Sequence, residues 1–228
     1  MNDILKIEKG VVKGLKDKNY EGEITIPKYG DDNIHVTRIE AEAFANCEGI
    51  TKVKFEEPDI HESITFISIG KFAFFNCKKL KAVILSHYVN KIERSAFQNC
   101  EALGSIEMYY GIPEIASWTF AGCKSMTKVI IPNGVKYIGH QAFADCVSLE
   151  HIDTLSSETT LGYDVFQNVN PKCKITVPLY FDERYKEEQQ WNEFEIKVND
   201  KRIFSYNGLR YHENEERKTI AVAEKENV

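Results

Sequence analysis

The stretch IIPNGVKYIGHQAFADCVSLEHI, residues 130–152, contains every element of a pattern that runs through most of the chain. Its centre, Ala-Phe-Ala-Asp-Cys, returns with small changes at five other places. The phenylalanines of this motif are Phe44, Phe74, Phe97, Phe120, Phe143 and Phe166. They are separated by 30 residues once and then by 23 residues four times. The chain is therefore a repeat protein with a period of 23 residues and one insertion of seven residues.

Other apolar residues keep fixed positions around these phenylalanines. An aliphatic residue stands five positions before each one: Ile39, Ile69, Ile92, Ile115, Ile138 and Leu161. A pair stands nine and eleven positions after it: Val53 and Phe55, Val83 and Leu85, Ile106 and Met108, Val129 and Ile131, Ile152 and Thr154, Ile175 and Val177. The alternating pair predicts a short strand with one inward face. The Ala-Phe-x-x-Cys segment suits a single helical or 3₁₀ turn, ended by the Asn, Asp or Gly before the Cys, so each unit is predicted to contain one strand and one turn.

A single unit of this size cannot bury its apolar residues alone, so the units are expected to stack. The predicted fold is a repeat solenoid of short parallel strands and short helical or 3₁₀ turns, with about six repeats. We predict four regions: an N-terminal cap hairpin and first strand at 1–35, the repeats at 36–177, a helical C-terminal cap at 178–198, and a β-hairpin tail at 199–228. Asn207-Gly208 in the tail predicts a type I′ turn.

The combined pattern, I-G/E-x-x-A-F-x-x-C-x-x-L-x-x-I/V-x-I/L-P, resembles the BspA-like (Treponema pallidum type) leucine-rich repeats. The similarity covers residues 20–180, and residues 130–152 are close to a consensus unit of that class. The resemblance implies a right-handed superhelix and a general role in binding proteins or surfaces. Many members look like exported bacterial surface or adhesion proteins, and the family pattern supplies no catalytic residue. The tail also resembles the YDGLYY-type segment that opens modules in such proteins.

Composition argues against several classes of protein. The chain has 228 residues, with 29 Lys and Arg against 35 Asp and Glu, which leaves no basic excess for binding nucleic acid. No apolar run approaches the roughly 18 residues that cross a bilayer, so no membrane insertion is expected. The opening MNDILKIEKG lacks the apolar core of a signal peptide. We expect a cytoplasmic location for the sequence as it stands, and a cell-surface or secreted one if a leader has been removed.

The cysteines and histidines form no recognisable reactive motif. Cys47, Cys77, Cys100, Cys123 and Cys146 share one repeat position, which favours a ladder of buried reduced thiols, although the coil spacing also permits disulfides. Cys173 lies outside this ladder and is predicted to be the most exposed and reactive thiol. Motifs for metal ligation, phosphate binding or a catalytic nucleophile are missing, so we predict no metal, no cofactor and no catalytic residue. The chain is predicted not to be an enzyme.

The strand residues between the inward pairs are expected to face solvent. They combine apolar and charged side chains, which is the composition of a protein-binding patch. The candidate binding residues are Lys54, Ile84, Glu107, Tyr109, Lys128, Ile130, His151 and Asp153. β-branched residues also favour strands without any binding role, and packing of Tyr109 on the neighbouring coil is the alternative to ligand contact. The acidic insertion EEPDIHESIT, residues 56–65, is either a recognition loop or a tolerated surface insertion.

Two functions remain open at this point. The first is a non-catalytic protein-binding or scaffold module that recognises a protein partner of unknown identity through the strand face. The second is a structural or adhesive segment of a bacterial cell-surface protein, in which the tail begins a further module. The sequence leaves the oligomeric state open, because an unpaired strand edge near the tail permits pairing between chains.

Overall fold

The computed structural model describes residues 4–57, 65–156, 159–178 and 181–199, together with the backbone of three short strands beyond them. In chain order the strands are β1 Leu5–Glu8, β2 Val11–Leu15, β3 Gly22–Ile26, β4 Arg38–Ile39, β5 Ile50–Phe55, β6 Ile67–Ile69, β7 Ala82–Ile84, β8 Val89–Ile92, β9 Ser105–Ile106, β10 Glu114–Ile115, β11 Lys128–Ile131, β12 Tyr137–Ile138, β13 His151–Thr154, β14 Thr160–Leu161, β15 Lys174–Pro178, β16 Glu195–Asn199, β17 Ile203–Tyr206, β18 Leu209–Glu213 and β19 Thr219–Val222. Helix α1, Asp182–Glu187, and a 3₁₀ turn, Trp191–Glu193, lie between β15 and β16. The predicted Asn207-Gly208 turn and most of the 56–65 insertion lie outside the described residues. In the part of the chain that is described, no helix is long and apolar enough to span a lipid bilayer.

Each repeat forms one coil, and the coils stack into a solenoid of parallel strands. The strands that follow the phenylalanine turns pair into two four-stranded sheets, which β3 joins at the N-terminal end and β16 at the C-terminal end: β3-β5-β7-β9 and β11-β13-β15-β16. The strands that directly precede these turns form the opposite face, which the β1–β2 hairpin extends, in the orders β1-β2-β4-β6-β8 and β10-β12-β14. Equivalent residues of successive coils are paired in register, as in Val129, Ile152 and Ile175. The predicted repeat solenoid is confirmed.

The strand before each turn is an element that the sequence analysis missed. The sequence predicts one strand per unit, and the structure has two. Most of these extra strands contain only two residues, as in Arg38–Ile39 and Tyr137–Ile138. An alternating pattern cannot be recognised over two residues, so only the buried aliphatic residue of each strand was visible in the sequence.

The turns hold the coils together through two alternating sets of backbone hydrogen bonds. Cys77 N donates to Phe74 O within its own coil at 3.2 Å, the spacing of a 3₁₀ turn, whereas Phe74 N donates to Ala96 O of the next coil at 2.8 Å. The residue before each Cys position has a positive φ of 57–74°: Asn46, Asn76, Asn99, Gly122, Asp145 and Asn168. Asn, Asp and Gly tolerate this left-handed conformation best, which explains their place at the predicted end of the turn.

The core is a ladder of stacked phenylalanine rings. The rings of Phe44, Phe74, Phe97, Phe120, Phe143 and Phe166 follow one another with centroid distances of 5.0–5.9 Å and interplanar angles of at most 18°. Trp191 closes the ladder at 5.0 Å from Phe166 and is completely buried. Because each ring is covered by its neighbours, every coil depends on the next one for its burial.

The cysteines form a second ladder beside the rings. The thiols of Cys77, Cys100, Cys123 and Cys146 donate to the carbonyl oxygens of Phe44, Phe74, Phe97 and Phe120 in the preceding coils, at 3.1–3.4 Å. All six cysteines are free, as the reduced-thiol interpretation predicts. The prediction that Cys173 is exposed and reactive is wrong: it is 1% exposed, and burial raises its pKa to about 12. This thiol belongs to the buried core cluster although it lies outside the ladder.

Strand pairing is interrupted on both faces at one boundary, between the coils of Phe97 and Phe120. β9 does not pair with β11, and β8 does not pair with β10. The intervening residues 107–113 form no strand, and Pro113 has no N–H group to donate to a sheet. The turns remain bonded across this boundary, since Phe97 N donates to Thr119 O at 3.0 Å. The two sheets are therefore joined through turns and core rather than through a continuous sheet.

The two ends of the stack are built differently. At the N-terminus, the antiparallel pair β1 and β2 leads into β4, which runs parallel to β2. At the C-terminus, the Gln190 side chain accepts a hydrogen bond from Val165 N and donates one to Gly162 O, both at 2.7 Å. Gln190 thus bridges two main-chain groups that bond to each other directly in other coils, as Ala142 N does to Gly139 O. The division of the chain into the four regions given above stays a prediction.

Candidate protein-binding surface

The sheet β3-β5-β7-β9, here called the N-terminal sheet, presents the most exposed apolar side chain of the predicted binding residues, which together are called the strip. Lys54 and Ile84 are paired residues of β5 and β7, so their side chains emerge on the same face. Ile84 is 44% exposed, and Lys54 is also exposed. The preceding residues of the two strands, Val53 and Val83, point to the inward face and are buried, which holds the backbone of both strands in place. Ile84 and Lys54 therefore form a fixed patch with apolar and cationic character.

The sheet β11-β13-β15-β16, here called the C-terminal sheet, carries the second half of the strip, in which an ion pair joins two of the side chains. Lys128 pairs with His151, and Ile130 pairs with Asp153. Lys128 Nζ lies 2.7 Å from Asp153 Oδ2, so an ion pair crosses from β11 to β13 next to Ile130. Ile130 is half-buried, whereas its counterpart Ile84 is exposed. The strip predicted as one surface is thus two patches of unequal exposure, separated by the interruption between β9 and β11.

Glu107 and Tyr109 lie in the segment that separates the two patches. Glu107 is exposed, and Tyr109 is only 9% exposed. The Tyr109 ring stacks on His87 of the preceding coil, with centroids 4.1 Å apart and planes 26° apart. Burial, together with the carboxylates of Glu107 and Glu57, raises the pKa of the Tyr109 phenol. Tyr109 therefore packs on the neighbouring coil and offers a partner little more than its edge.

His87 and Glu57 are site residues that the sequence analysis did not single out. Glu57 Oε1 lies 3.0 Å from His87 Nδ1 and accepts a hydrogen bond from His87 N at 3.2 Å. Its other oxygen accepts a hydrogen bond from the buried Ser86 hydroxyl at 3.0 Å. His87 and Tyr109 are 22 residues apart rather than 23, so the repeat pattern does not align them. In the sequence, the only indication of this contact was a pair of aromatic residues, His87 and Tyr109, whose spacing is one residue shorter than the repeat.

The turn side of the solenoid carries a row of polar and aromatic side chains that bind one another. The Arg94 guanidinium lies 4.3 Å from the Trp118 ring centroid, and Trp118 Nε1 donates to Gln141 Oε1 at 2.7 Å. Gln141 Nε2 in turn donates to Gln167 Oε1 at 2.8 Å. These contacts join side chains from successive coils. The row therefore stabilises the stack, and most of its polar groups are already used.

An open depression of about 510 Å³ lies at the start of β13, β15 and β16. Its lining mixes both signs of charge: Glu150, His151, Asn170, Pro171, Lys172, Cys173, Lys174 and Glu195. Lys174 Nζ is 4.0 Å from Glu195 Oε2, so part of this charge is compensated internally. Among the described residues, no three ligating side chains converge so as to hold a metal ion. The predictions of no metal and no cofactor stay predictions.

Coils that each contribute a parallel strand and a tight turn around a continuous apolar ladder define a leucine-rich repeat protein. The family model of the BspA type leucine rich repeat region matches residues 22–65 and 37–173, with six copies, and the chain belongs to this family. The family predicted from the repeated Ala-Phe-x-x-Cys motif is thereby confirmed. Leucine-rich repeat proteins of this kind commonly act as protein-interaction or surface modules and are generally non-enzymatic. No curated protein matches the chain.

Solved bacterial structures share this fold. A leucine-rich repeat protein of T. pallidum has a TM-score of 0.57 and 22% identity, over 80% of this chain and 84% of that one. A leucine rich cell surface protein of Faecalibacterium prausnitzii A2-165 has a TM-score of 0.57 and 22% identity, over 92% and 55%. The pneumococcal vaccine antigen PcpA has a TM-score of 0.58 and 18% identity, over 87% and 48%. The chain thus spans about half the length of the last two proteins, and at these identities the likeness shows the fold alone.

Proposed function

We propose that the chain is a non-catalytic binding module that recognises a protein partner through its strand face, with Ile84 at the centre of the contact. The observation that carries this proposal is the exposure of Ile84, 44%, at a strand position that pairs with Lys54 of β5, in a strand whose preceding residues also pair with β9. Partners commonly bind repeat solenoids along such an extended surface. An apolar side chain that is held rigidly loses little conformational entropy on binding, which favours its use as an anchor.

The surroundings of Ile84 support a protein partner. Lys54 lies beside it, and Glu107 is exposed in the following coil. An apolar centre with charged neighbours is the usual composition of a protein interface, in which the charges fix orientation and partner choice. The half-buried Ile130 and the Lys128–Asp153 pair extend this face into the C-terminal sheet. We place them at the border of the contact, because the ion pair already binds the charges that a partner would use.

The absence of catalysis belongs to this proposal, and the state of the thiols supports it. A cysteine acts as a nucleophile only as a thiolate. Burial raises the pKa of Cys100 and Cys146 to about 12, and that of Cys123 well above its usual value. These thiols donate hydrogen bonds to backbone carbonyls and are closed to solvent. Their chemistry is structural.

The test is an affinity capture with the wild-type chain and the double variant Ile84→Asp with Ile130→Asp. We expect the wild-type chain to retain a specific protein, identified by mass spectrometry, and the double variant to lose it, because a carboxylate at the centre of an apolar contact must be desolvated. Val147→Asp is the matched control, since Val147 is an apolar residue, 52% exposed, that follows a turn cysteine. Retention by the control and loss by the double variant supports the proposal.

Equal capture by all three proteins would contradict recognition through the strand face. That result would favour the second function, a structural or adhesive segment of a bacterial cell-surface protein. Circular dichroism of each variant must show the wild-type spectrum for either conclusion to hold.

A further inference from the structure

We infer that a second copy of this chain pairs with the outer edge of β16, antiparallel to it and about a two-fold axis at Ile196. The surface that each chain presents is therefore the same strand, Glu195–Asn199. This inference goes beyond the proposed function, because β16 contains none of the residues of the strip.

The outer edge of β16 has no strand beside it in the part of the chain that the structure describes. β16 is the last strand of the C-terminal sheet and pairs in parallel with β15 on its other side. The three strands that follow it, β17, β18 and β19, form an antiparallel sheet of their own and add no strand to this edge. Alternate residues of β16 thus direct unpaired N–H and C=O groups outward, which is a template for pairing with another chain.

The apolar residues of β16 are less covered than those of the strand inside it. Ile175 and Val177 of β15 are completely buried, whereas the residues paired with them, Ile196 and Val198, are only half-buried. Phe194, which directly precedes β16, is also half-buried. A further strand on this edge would remove more of this apolar surface from water, so its addition is favourable.

Antiparallel pairing of β16 with itself has one register in which both faces match. With Ile196 opposite the same residue of the second copy, Phe194 lies opposite Val198 on the inward face. On the outward face, Glu195 lies opposite Lys197 on each side of the axis. Both of these side chains are exposed, 58% for Glu195 and 52% for Lys197, so they can reach the second chain. A shift of the axis to Lys197 would instead place two lysines opposite each other, which is unfavourable.

The edge strand at the other end of this face, β3, is less suited to pairing. Its inward residues, Ile24 and Ile26, are each only 1% exposed, so a further strand would cover little apolar surface there. If β3 of a second copy stacked on β16 in the register of successive coils, Glu23 would lie beside Glu195. Like charges at neighbouring positions disfavour that arrangement. A two-fold contact also closes on itself, whereas stacking end to end would continue into a filament.

The dimer brings the strand faces of two chains to the same side of one assembly. Antiparallel neighbours in a sheet are related by an axis perpendicular to the sheet, so the outward face of each chain stays outward. A partner that presents two sites can then contact both chains at once, which raises its apparent affinity without any new contact within either chain.

The test measures the mass of the full chain by analytical ultracentrifugation at protein concentrations up to about 1 mM. We expect twice the monomer mass at high concentration and the monomer on dilution. Glu195→Lys and Lys197→Glu should each weaken dimerisation by about tenfold, because like charges then lie opposite each other on both sides of the axis. Both substitutions in one chain restore opposite charges and should restore the dimer, and an equimolar mixture of the two single variants should form mixed dimers.

Glu23→Lys is the matched control, because the Glu23 side chain is exposed, 66%, on the other edge strand of the same face. It should leave the dimer unchanged, and circular dichroism should show the wild-type spectrum for every variant. A wild-type chain that stays monomeric over the whole range overturns the inference. Single variants that dimerise as tightly as the wild-type chain overturn it as well.

Assemblies larger than a dimer that are lost in Glu23→Lys would show stacking through β3 and would also overturn the inference. The variant Ile84→Asp with Ile130→Asp should remain dimeric, since neither residue belongs to β16. Failure of the dimer and failure of partner capture are therefore observed separately, and either result leaves the other proposal standing.

Discussion

The sheets β3-β5-β7-β9 and β11-β13-β15-β16 are built from the same repeat positions and present different surfaces. Ile84 and Ile130 both stand ten residues after a ladder phenylalanine and on the outer face of a strand. Ile84 is exposed beside Lys54, whereas Ile130 is half-buried next to the Lys128–Asp153 ion pair. The difference shows that the repeat determines where a side chain emerges, and that neighbouring side chains determine whether it is available to a partner.

The largest expected effect comes from removing one ring of the phenylalanine ladder, which both sheets share. Phe120→Ala removes the ring that follows the interrupted boundary and lies 5.8 Å from Phe97. We expect the free energy of unfolding to fall by about 3–5 kcal/mol, since a fully buried ring is replaced by a cavity. Because no strand pairing joins the sheets there, we also expect urea unfolding to separate into two transitions.

Phe74→Ala is the matched control, because Phe74 is equally buried and lies within the continuous pairing of the N-terminal sheet. It should lose similar stability and keep a single transition. Trp118 and Trp191 fluorescence, followed together with circular dichroism, distinguishes the two cases. One transition in both variants would show that the boundary is as cooperative as the rest of the stack.

The second prediction tests whether the two sheets cover equivalent cores. Burial raises the pKa of Cys100, in the coil that leads into β9, and of Cys146, in the coil that leads into β13, from 9.0 to about 12. Between pH 9 and 12 these thiols ionise only in the unfolded chain. Their contribution to the free energy of unfolding is therefore complete below pH 9 and is lost as the pH rises. The ionisation of each thiol should lower the free energy of unfolding by about 1.4 kcal/mol per pH unit in this window.

Cys100→Val and Cys146→Val should therefore each make the alkaline loss of stability shallower by the same amount. Valine occupies this repeat position naturally at Val169. Urea unfolding at several pH values between 8 and 12 provides the measurement, and the difference from the wild-type chain removes the contribution of tyrosine and lysine. A change in slope for one variant only would mean that the two halves of the core differ in solvent access.

The smallest effect concerns the ion pair that distinguishes the outer faces. Asp153→Asn removes the partner of Lys128 and should lower the free energy of unfolding by about 0.2–1 kcal/mol. Glu23→Gln removes the corresponding pair of the N-terminal sheet, in which Lys52 Nζ lies 3.3 Å from Glu23 Oε2. The Glu23 side chain is 66% exposed and that of Asp153 is 29% exposed, so we expect the smaller loss for Glu23→Gln. Double-mutant cycles at low and high salt measure both pairs, and equal coupling energies would contradict the contrast between the faces.

The sequence was sufficient for the fold, because each structural role is repeated. The position of Phe143 in the core follows from five other phenylalanines at the same place, and the family follows from the same motif. Features that depend on contacts between coils were missed. Phe72 and Trp118 adopt positive φ values of 55° and 57°, which their residue types disfavour. Their backbone N–H groups donate to Arg94 O and His140 O of the following coils, so pairing between coils overrides the local preference.

The candidate surface was predictable only in part for the same reason. Alternation placed Ile84 on the outer face, and the structure agrees. No pattern within one strand shows that Asp153 reaches Lys128, or that Tyr109 turns onto His87. Cys173 illustrates the converse, since its place outside the ladder suggested exposure, and the structure includes it in the buried core.

The Gln190 side chain has a consequence for how such an array changes in length. One amide group both accepts from Val165 N and donates to Gly162 O, and so bridges two groups that bond to each other directly in other coils, as Ala142 N does to Gly139 O. The groups that it bridges are main-chain atoms, which recur at the same two positions of each repeat whatever its side chains are. Duplication or deletion of a whole 23-residue unit upstream would leave this ending intact. The number of repeats can thus change in evolution, while the C-terminal segment that contains Gln190 stays the same.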